Sequence, residues 1–150
     1  MAKSKEKTES QILAEILAAI GSFKGIQVMR INTGVFHDSE GVRRIRSVDK
    51  GTHDILCCVQ INMKRMETVD SGSMQFQLPR YYSFGQLVWL EVKMPNKQLN
   101  DDQVAFGNAW QQAGAICKRV TSADEALIVL QEIIKSVPCL KFEPDGIIFE

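Results

Sequence analysis

Acidic and basic side chains stand at the ends of two apolar runs of this sequence. Asp54 follows Gly51-Thr52-His53 and opens the run 55–61, and Glu91-Val92-Lys93 closes the run 87–92. Because side chains alternate between the faces of a strand, Glu91 and Lys93 are expected to project together, with Val92 in the opposite layer. An acid and a base side by side at a strand end are available to a shared substrate, although Glu-x-Lys also occurs on many solvated strands.

A second carboxylate strengthens the hypothesis of a reactive site. Asp54 and Glu91 are 37 residues apart in the chain, which is enough for adjacent strands joined by an excursion. Two carboxylates brought to about 4 Å repel by roughly 4 kcal/mol at an effective dielectric constant of 20. A divalent cation relieves that repulsion, and carboxylate and carbonyl oxygens suit Mg²⁺ or Mn²⁺. The pair is therefore a candidate metal site.

Glu9 and Gln103 are further candidates, each with a structural alternative. On a helical wheel Glu9 falls inside the apolar stripe of the first helix, yet a carboxylate is also favourable at any helix N-terminus. Gln103 shares a stripe with Phe106, Gly107 and Trp110 and should face the sheet. It is also the capping-box partner of Asn100, which is a sufficient structural reason by itself.

Helices and strands that would position these residues follow from capping residues and from apolar periodicity. They are predicted at 8–21 (helix), 26–31, 42–48, 55–61 and 87–92 (strands), 100–113 (helix), 115–120 (strand) and 122–134 (helix). Residues 62–86 are polar and mixed and are predicted as a long loop, and the tail after Pro138 carries only a turn at Pro144-Asp145-Gly146. This order predicts a single domain over 1–150, with its core at about 8–134, built as a mixed α/β sheet flanked by helices.

Charge is balanced over the whole chain, with 18 basic and 18 acidic residues, but it is unevenly distributed. Residues 42–65 carry a local excess of positive charge that could neutralise phosphates. The alternative is a strand edge kept soluble by arginines. The candidate phosphate-binding residues are Arg43, Arg44, Arg46, Lys50 and, on the loop after the second apolar run, Lys97.

Several protein classes are excluded by simple patterns. No apolar stretch is long enough to span a membrane, and the polar, lysine-rich residues 1–10 lack the apolar segment of a secretory signal. None of the four cysteines forms a Cys-x-x-Cys pair, which argues against a zinc knuckle and favours free thiols in a reducing cytoplasm.

Taken in order, these segments resemble the PD-(D/E)XK nuclease superfamily and, within it, the virus-type replication-repair nuclease (VRR-NUC) domain. The resemblance covers about 8–134. It rests on Thr8-Glu9-Ser10-Gln11-Ile12, Asn32-Thr33-Gly34, Gly51-Thr52-His53-Asp54-Ile55-Leu56, Glu91-Val92-Lys93 followed by Gln103, and Ala113-Gly114-Ala115. The family usually has a proline before the aspartate, where this chain has His53.

That resemblance implies a restriction-endonuclease-like fold and hydrolysis of DNA phosphodiester bonds. It implies that Asp54, Glu91 and the Val92 carbonyl hold Mg²⁺ or Mn²⁺, and that Glu9 binds a second metal or its water. Because compact phage-type members act on branched DNA as dimers, the resemblance also implies that this chain is a homodimer that prefers branched or four-way-junction DNA, in the cytoplasm of a bacterial or phage-infected cell.

Two further roles follow from the same resemblance. Lys93 would orient the attacking water or stabilise the charge that develops on the phosphate. Gln103 would steady that lysine or a water on the metal. Segment 62–86 is longer than the usual connection and is expected to add to a homodimer face through Tyr81, Tyr82 and Phe84.

Three alternatives to a nuclease are compatible with some of these residues. An HD-type phosphohydrolase needs more histidines than His37 and His53, held on helices. A zinc site from these histidines and the cysteines lacks ligand spacing. The main rival is a non-catalytic DNA-binding or assembly domain that kept the nuclease fold, against which the intact Asp54, Glu91 and Lys93 argue.

Overall fold

In the described part of the chain, a helix is followed by five strands, then by a helix, a strand and a helix, and finally by two strands. The computed structural model describes residues 7–31, 35–37, 44–46, 50–136, 140–143 and 146–149, with side chains described for 7–31 and 50–134. Its elements are α1 (Glu9–Gly21), β1 (Ile26–Arg30), β2 (Val35–His37), β3 (Arg44–Arg46), β4 (Ile55–Ser71), β5 (Met74–Val92), α2 (Asp101–Gln112), β6 (Ile116–Val120), α3 (Ala123–Ser136), β7 (Leu140–Glu143) and β8 (Gly146–Phe149).

A four-stranded mixed sheet with the order β1-β4-β5-β6 is the centre of the fold. The β1–β4 and β4–β5 pairs are antiparallel, whereas β6 lies parallel to β5. The prediction of a mixed α/β sheet flanked by helices is confirmed at this level. Two short antiparallel pairs, β2–β3 and β7–β8, stand outside this sheet, and β8 contacts β4.

The two faces of the sheet are covered by different helices. Apolar side chains of α1 and α3, among them Ile16, Ile20 and Leu130, pack against alternate residues of β4 and β5 such as Ile55 and Leu90. Full burial of such a side chain contributes about 1.5–3 kcal/mol, so this layer supplies most of the apolar stabilisation. On the other face, α2 places aromatic rings against Trp89. That second face also carries Glu91, because residues two apart in a strand share a face.

Capping residues set the helix starts as predicted. Thr8 with Gln11 and Asn100 with Gln103 form reciprocal capping boxes on α1 and α2. At α3 the backbone N–H of Glu125 donates to Ser122 Oγ at 3.1 Å, while the Glu125 carboxylate accepts from Thr121 rather than from Ser122. Gly114, with φ of 90°, follows the end of α2 in a backbone conformation that favours glycine.

The prediction of a long loop at 62–86 is wrong. β4 and β5 continue as one antiparallel hairpin, paired from Ile55↔Leu90 to Ser71↔Met74 and closed by a two-residue turn with Gly72 at φ of 63°. We call residues 62–86, the outer part of this hairpin, the arm. Most of its side chains are exposed, whereas the inner part of both strands is buried.

Other sequence predictions meet the structure in part. A basic strand does lie within the predicted range 42–48, as β3, and its partner β2 was not predicted. The residues Asn32-Thr33-Gly34, Arg43, Pro144 and Asp145 lie outside the described part of the chain. Within that part, no helix is long and apolar enough to cross a membrane.

Candidate active site

Asp54 and Glu91 lie opposite each other on neighbouring antiparallel strands. Ile55 pairs with Leu90, so the next position of the register joins Asp54 to Glu91, and opposed residues share a face. The backbone N–H of Val92 donates to Asp54 Oδ2 at 3.0 Å, which fixes the aspartate at the start of β4. The expectation that two distant segments bring these carboxylates to one strand end agrees with this geometry.

Glu91 is a buried carboxylate with polar neighbours on several sides. It is 1 % exposed, and its Oε1 accepts from Lys93 Nζ at 2.7 Å and from the side-chain amide of Gln103. The other oxygen, Oε2, lies 3.3 Å from His53 Nδ1. Neither of those two atoms has a hydrogen-bond partner among the described residues. One oxygen of Glu91 is thus satisfied by the protein and the other is not.

Lys93 connects this carboxylate to helix α1. Its Nζ lies 3.4 Å from Glu9 Oε1 as well as contacting Glu91, so the ammonium bridges the two acids. Burial lowers the pKa of Lys93, but the hydrogen bond and negative charge of Glu91, together with Glu9, outweigh burial and raise the pKa above its usual value. Lys93 is therefore protonated at neutral pH and acts through its charge and its N–H donors.

Asp54 has the opposite electrostatic environment. Burial is the main cause that raises its pKa from 3.8 to about 6, and the negative charge of Glu91 raises it further. The Val92 N–H and the Lys93 ammonium oppose this shift without cancelling it. Asp54 therefore carries a negative charge that the protein does not fully compensate, as expected for a cation ligand.

Gln103 caps helix α2 and also faces the sheet, where it contacts Glu91 rather than Lys93. Its Oε1 accepts from the backbone N–H of Asn100 at 3.0 Å, which caps α2, and its Nε2 donates to Glu91. One amide therefore ties the start of α2 to the acidic centre. All five residues predicted as catalytic are brought together: Glu9, Asp54, Glu91, Lys93 and Gln103.

His53 belongs to this centre, although the sequence reasoning gave it no role. Its side chain is 2 % exposed, stacks beside Phe106 at 4.9 Å between ring centroids and approaches Glu91. Gly107 of α2 lies beside it, and a Cβ at that position would be in ordinary van der Waals contact with His53 Nε2, at 3.5 Å. The sequence did contain one indication: His53 directly precedes Asp54 at the start of a strand, so it is held near the site.

Gly51 lets the loop before Asp54 pack directly on helix α2. Its φ is 79°, and a Cβ there would stand 2.1 Å from the backbone oxygen of Asp102. Any side chain would push the loop and the helix apart, and with them Asp54 and Gln103. The glycine in Gly51-Thr52-His53-Asp54 is therefore required by close backbone approach.

The donor set fits a hard divalent cation in part. Among the described residues, no three His, Cys, Asp or Glu side chains are placed to hold a metal ion together. The candidate set needs only two carboxylates and a backbone carbonyl, from Asp54, Glu91 and Val92. The unpartnered Oε2 of buried Glu91 and the undercompensated charge of Asp54 both favour a cation. In this arrangement Glu9 contacts Lys93 and does not complete a three-carboxylate cluster.

The predicted phosphate-binding residues are only partly placed by the structure. Lys50 and Lys97 are exposed, in the loops before Asp54 and after Lys93 respectively. Arg44 and Arg46 belong to β3, but their side chains, and all of Arg43, lie outside the described residues. Their contact with DNA stays a prediction.

Comparison of the chain with models of protein families, with curated proteins and with solved structures gave no match.

Proposed function

We propose that this chain is a metal-dependent DNA endonuclease with a restriction-endonuclease-like α/β fold. The observation that carries the proposal is the pairing of Asp54 with Glu91 across two strands, with Lys93 on the same face and its Nζ 2.7 Å from Glu91. Two acids and a lysine in this order and register match the pattern that the PD-(D/E)XK resemblance rests on.

Each residue has a role that its environment supports. Asp54, Glu91 and the Val92 carbonyl hold Mg²⁺ or Mn²⁺, which when bound supplies positive charge to offset the charge at the scissile phosphate. Lys93, held protonated by its acidic neighbours, donates to a phosphate oxygen and stabilises the charge that develops there. Gln103 keeps the buried carboxylate of Glu91 in one orientation. Glu9 positions the ammonium of Lys93 from the other side.

DNA is the proposed substrate, with branched forms such as four-way junctions preferred over linear duplex. A symmetric junction needs two cuts related by a two-fold axis, which one site of this size cannot make alone. A homodimer of this chain supplies the second site. The exposed Lys50 and Lys97 would contact phosphates on either side of the scissile bond.

One assay tests the function directly. Labelled linear, flap and four-way-junction DNA are incubated with the protein in Mg²⁺, in Mn²⁺ and in EDTA, beside Asp54→Asn and a matched control, Asp70→Asn, from the exposed end of the arm. We expect cleavage with either metal, by the parent and by Asp70→Asn alone. Cleavage in EDTA or by Asp54→Asn contradicts the proposal. Tight DNA binding without any cleavage favours the non-catalytic DNA-binding alternative.

A further inference from the structure

The arm has one apolar face and one polar face, and the apolar face is solvent-exposed. Cross-strand partners and residues two apart share a face, so the buried face of β4 and β5 continues into the arm. It carries Met63, Arg65, Glu67 and Val69 from β4, and Met74, Phe76, Leu78, Arg80, Tyr82 and Phe84 from β5. The opposite face carries mostly polar side chains, such as Lys64, Thr68, Asp70, Gln75 and Gln77. We call the first set the apolar face of the arm.

The apolar face of the arm leaves a large area of apolar side chain in solvent. Met74 is 62 % exposed, and Phe76, Leu78, Tyr82 and Phe84 are 42–47 % exposed. With side chains of about 150–250 Å² each, these five residues leave roughly 450 Å² of apolar surface, crossed by Arg80 between Leu78 and Tyr82. That area equals the largest patch of a typical monomer, which is often functional. A two-stranded ribbon is also only marginally stable in water by itself, so the arm gains from a covering layer.

The basic and acidic residues of this face are arranged so that two copies of the arm could pair opposite charges. From the sheet towards the tip, the β4 side chains on this face are Met63, Arg65, Glu67 and Val69. Across the ladder, Met63 pairs with Tyr82 of β5 and Val69 pairs with Phe76. Apolar pairs thus lie at both ends, with a basic and an acidic residue between them. Glu67 also accepts a hydrogen bond from Tyr82 and lies 3.5 Å from Arg80 Nε.

A two-fold axis across the middle of the arm brings residues of opposite charge in two copies to face each other. If a second copy lies face to face and antiparallel, with the axis between the Arg65 and Glu67 positions, each Arg65 faces the Glu67 of the other copy. Met63 then faces Val69. On β5, Tyr82 faces Phe76 and Phe84 faces Met74 by the same operation. Leu78 faces the side chain of Arg80, whose Nε lies 3.5 Å from Glu67 of its own chain. Two such patches bury about 900 Å², and the stems of the charged side chains bring the total close to the roughly 1,200 Å² of the smallest stable interfaces.

We propose that the apolar face of the arm is the surface through which two copies of this chain associate, face to face and antiparallel, in this register. The partner is a second copy because the charge order fits its own two-fold image. Tyr81, on the opposite face, is not part of the interface, in contrast to the expectation from the sequence. The proposal does not rest on the nuclease function, because the residues that carry it belong to the arm and not to the site around Asp54 and Glu91.

The mass in solution is the first test. Light scattering at tens of micromolar is expected to give a dimer for the parent and a monomer for Phe76→Glu, which places a charge within the interface. The matched control is Gln75→Glu, the preceding residue on the polar face, which keeps the dimer. An unchanged far-UV circular dichroism spectrum and a single cooperative unfolding transition show that Phe76→Glu is folded. A monomeric parent, or a dimer that Phe76→Glu leaves intact, overturns the proposal.

Cross-linking tests the register. Met63→Cys and Val69→Cys proteins, mixed and treated with a short bismaleimide, are expected to form a covalent dimer, whereas Met63→Cys alone does not. The two Met63 positions lie about 20 Å apart in the proposed pairing, since six residues of strand separate positions 63 and 69. The parent serves as control for native thiols, of which Cys57 and Cys117 are buried. Efficient cross-linking of Met63→Cys with itself overturns this register.

Discussion

The side-chain amide of Gln103 joins the N-terminal cap of helix α2 to the buried carboxylate of Glu91. The helix therefore cannot shift along the sheet without moving a donor away from Glu91. Because the same helix start packs on Gly51, the segment before Asp54 is held by the same contact. Both acids of the site are positioned relative to α2.

Replacing Gln103 with Ala is expected to reduce both stability and activity. It removes the capping partner of Asn100 and a hydrogen bond to a buried charge, so we expect the free energy of unfolding to fall by about 2–4 kcal/mol. Loss of a residue that orients a metal ligand typically lowers activity by about 10–100-fold. Urea unfolding and cleavage rates on one DNA substrate measure the two effects.

The control for Gln103→Ala is Asn100→Ala. It removes the reciprocal cap at a cost of about 0.5–2 kcal/mol and leaves the contact between Gln103 and Glu91 in place. If Asn100→Ala lowers the cleavage rate as much as Gln103→Ala does, Gln103 acts only through the helix.

Asp54 makes the metal-free protein less stable as pH rises. Its folded pKa of about 6 exceeds the unfolded value of 3.8, so the folded state binds more protons between these values and stability is lost across that window. Relative to the parent, Asp54→Asn is expected to gain about 1–2 kcal/mol between pH 4 and pH 7 in EDTA, a figure reduced for the partial exposure of Asp54. Urea unfolding at several pH values measures it. A stability difference that is flat with pH, as expected for Asp70→Asn, would contradict the assignment.

Divalent cations are expected to stabilise the fold through the same carboxylate. Binding to the folded state alone raises the free energy of unfolding by about 2.7 kcal/mol at a concentration 100 times the dissociation constant. Thermal unfolding with increasing Mg²⁺ or Mn²⁺ should therefore give a rising Tm for the parent and none for Asp54→Asn. An equal rise in both proteins would place the cation elsewhere.

Positive residues between positions 43 and 50 are expected to contact DNA phosphates. Arg43→Ala, Arg44→Ala, Arg46→Ala and Lys50→Ala should each weaken binding to all sequences and lower the salt slope by about one unit or less. Lys24→Ala, in the turn between α1 and β1, is the control. Binding titrations from 50 to 200 mM salt measure the slope. If all four variants have the same salt slope as the parent, these basic residues do not contact DNA and only keep a strand edge soluble.

Much of the central sheet and all three helices could be predicted because their signals are local. Two capping boxes indicate where helices begin, one formed by Thr8 with Gln11 and one by Asn100 with Gln103. The apolar run 55–61 indicates a strand that is covered on both faces. The five candidate site residues also follow from strand alternation and helix faces, which depend on spacing alone.

The arm was missed because its pattern is interrupted by charge. Met74, Phe76 and Leu78 alternate with Gln75 and Gln77 after a Ser-Gly-Ser turn, which is the signal of a hairpin. Arg65, Glu67 and Arg80 replace apolar residues in the middle of both strands, and Pro79 weakens a strand assignment further. His53 was missed for another reason, since its burial beside Glu91 depends on packing against Phe106 of a helix distant in sequence.

The number of residues between Asp54 and Glu91 is set by the length of the continuous β4–β5 hairpin. Both are fixed in register by the ladder next to them, while the turn at Gly72 lies 17 residues of strand away from Asp54. Removing residues in equal numbers from both strands would shorten the arm and leave the acids opposite each other, whereas a one-residue change in a single strand would reverse the side-chain faces of the arm. Matched insertions or deletions can therefore change the length of the arm without moving the acids, and the number of residues between Asp54 and Glu91 reflects the length of the arm rather than the geometry of the site.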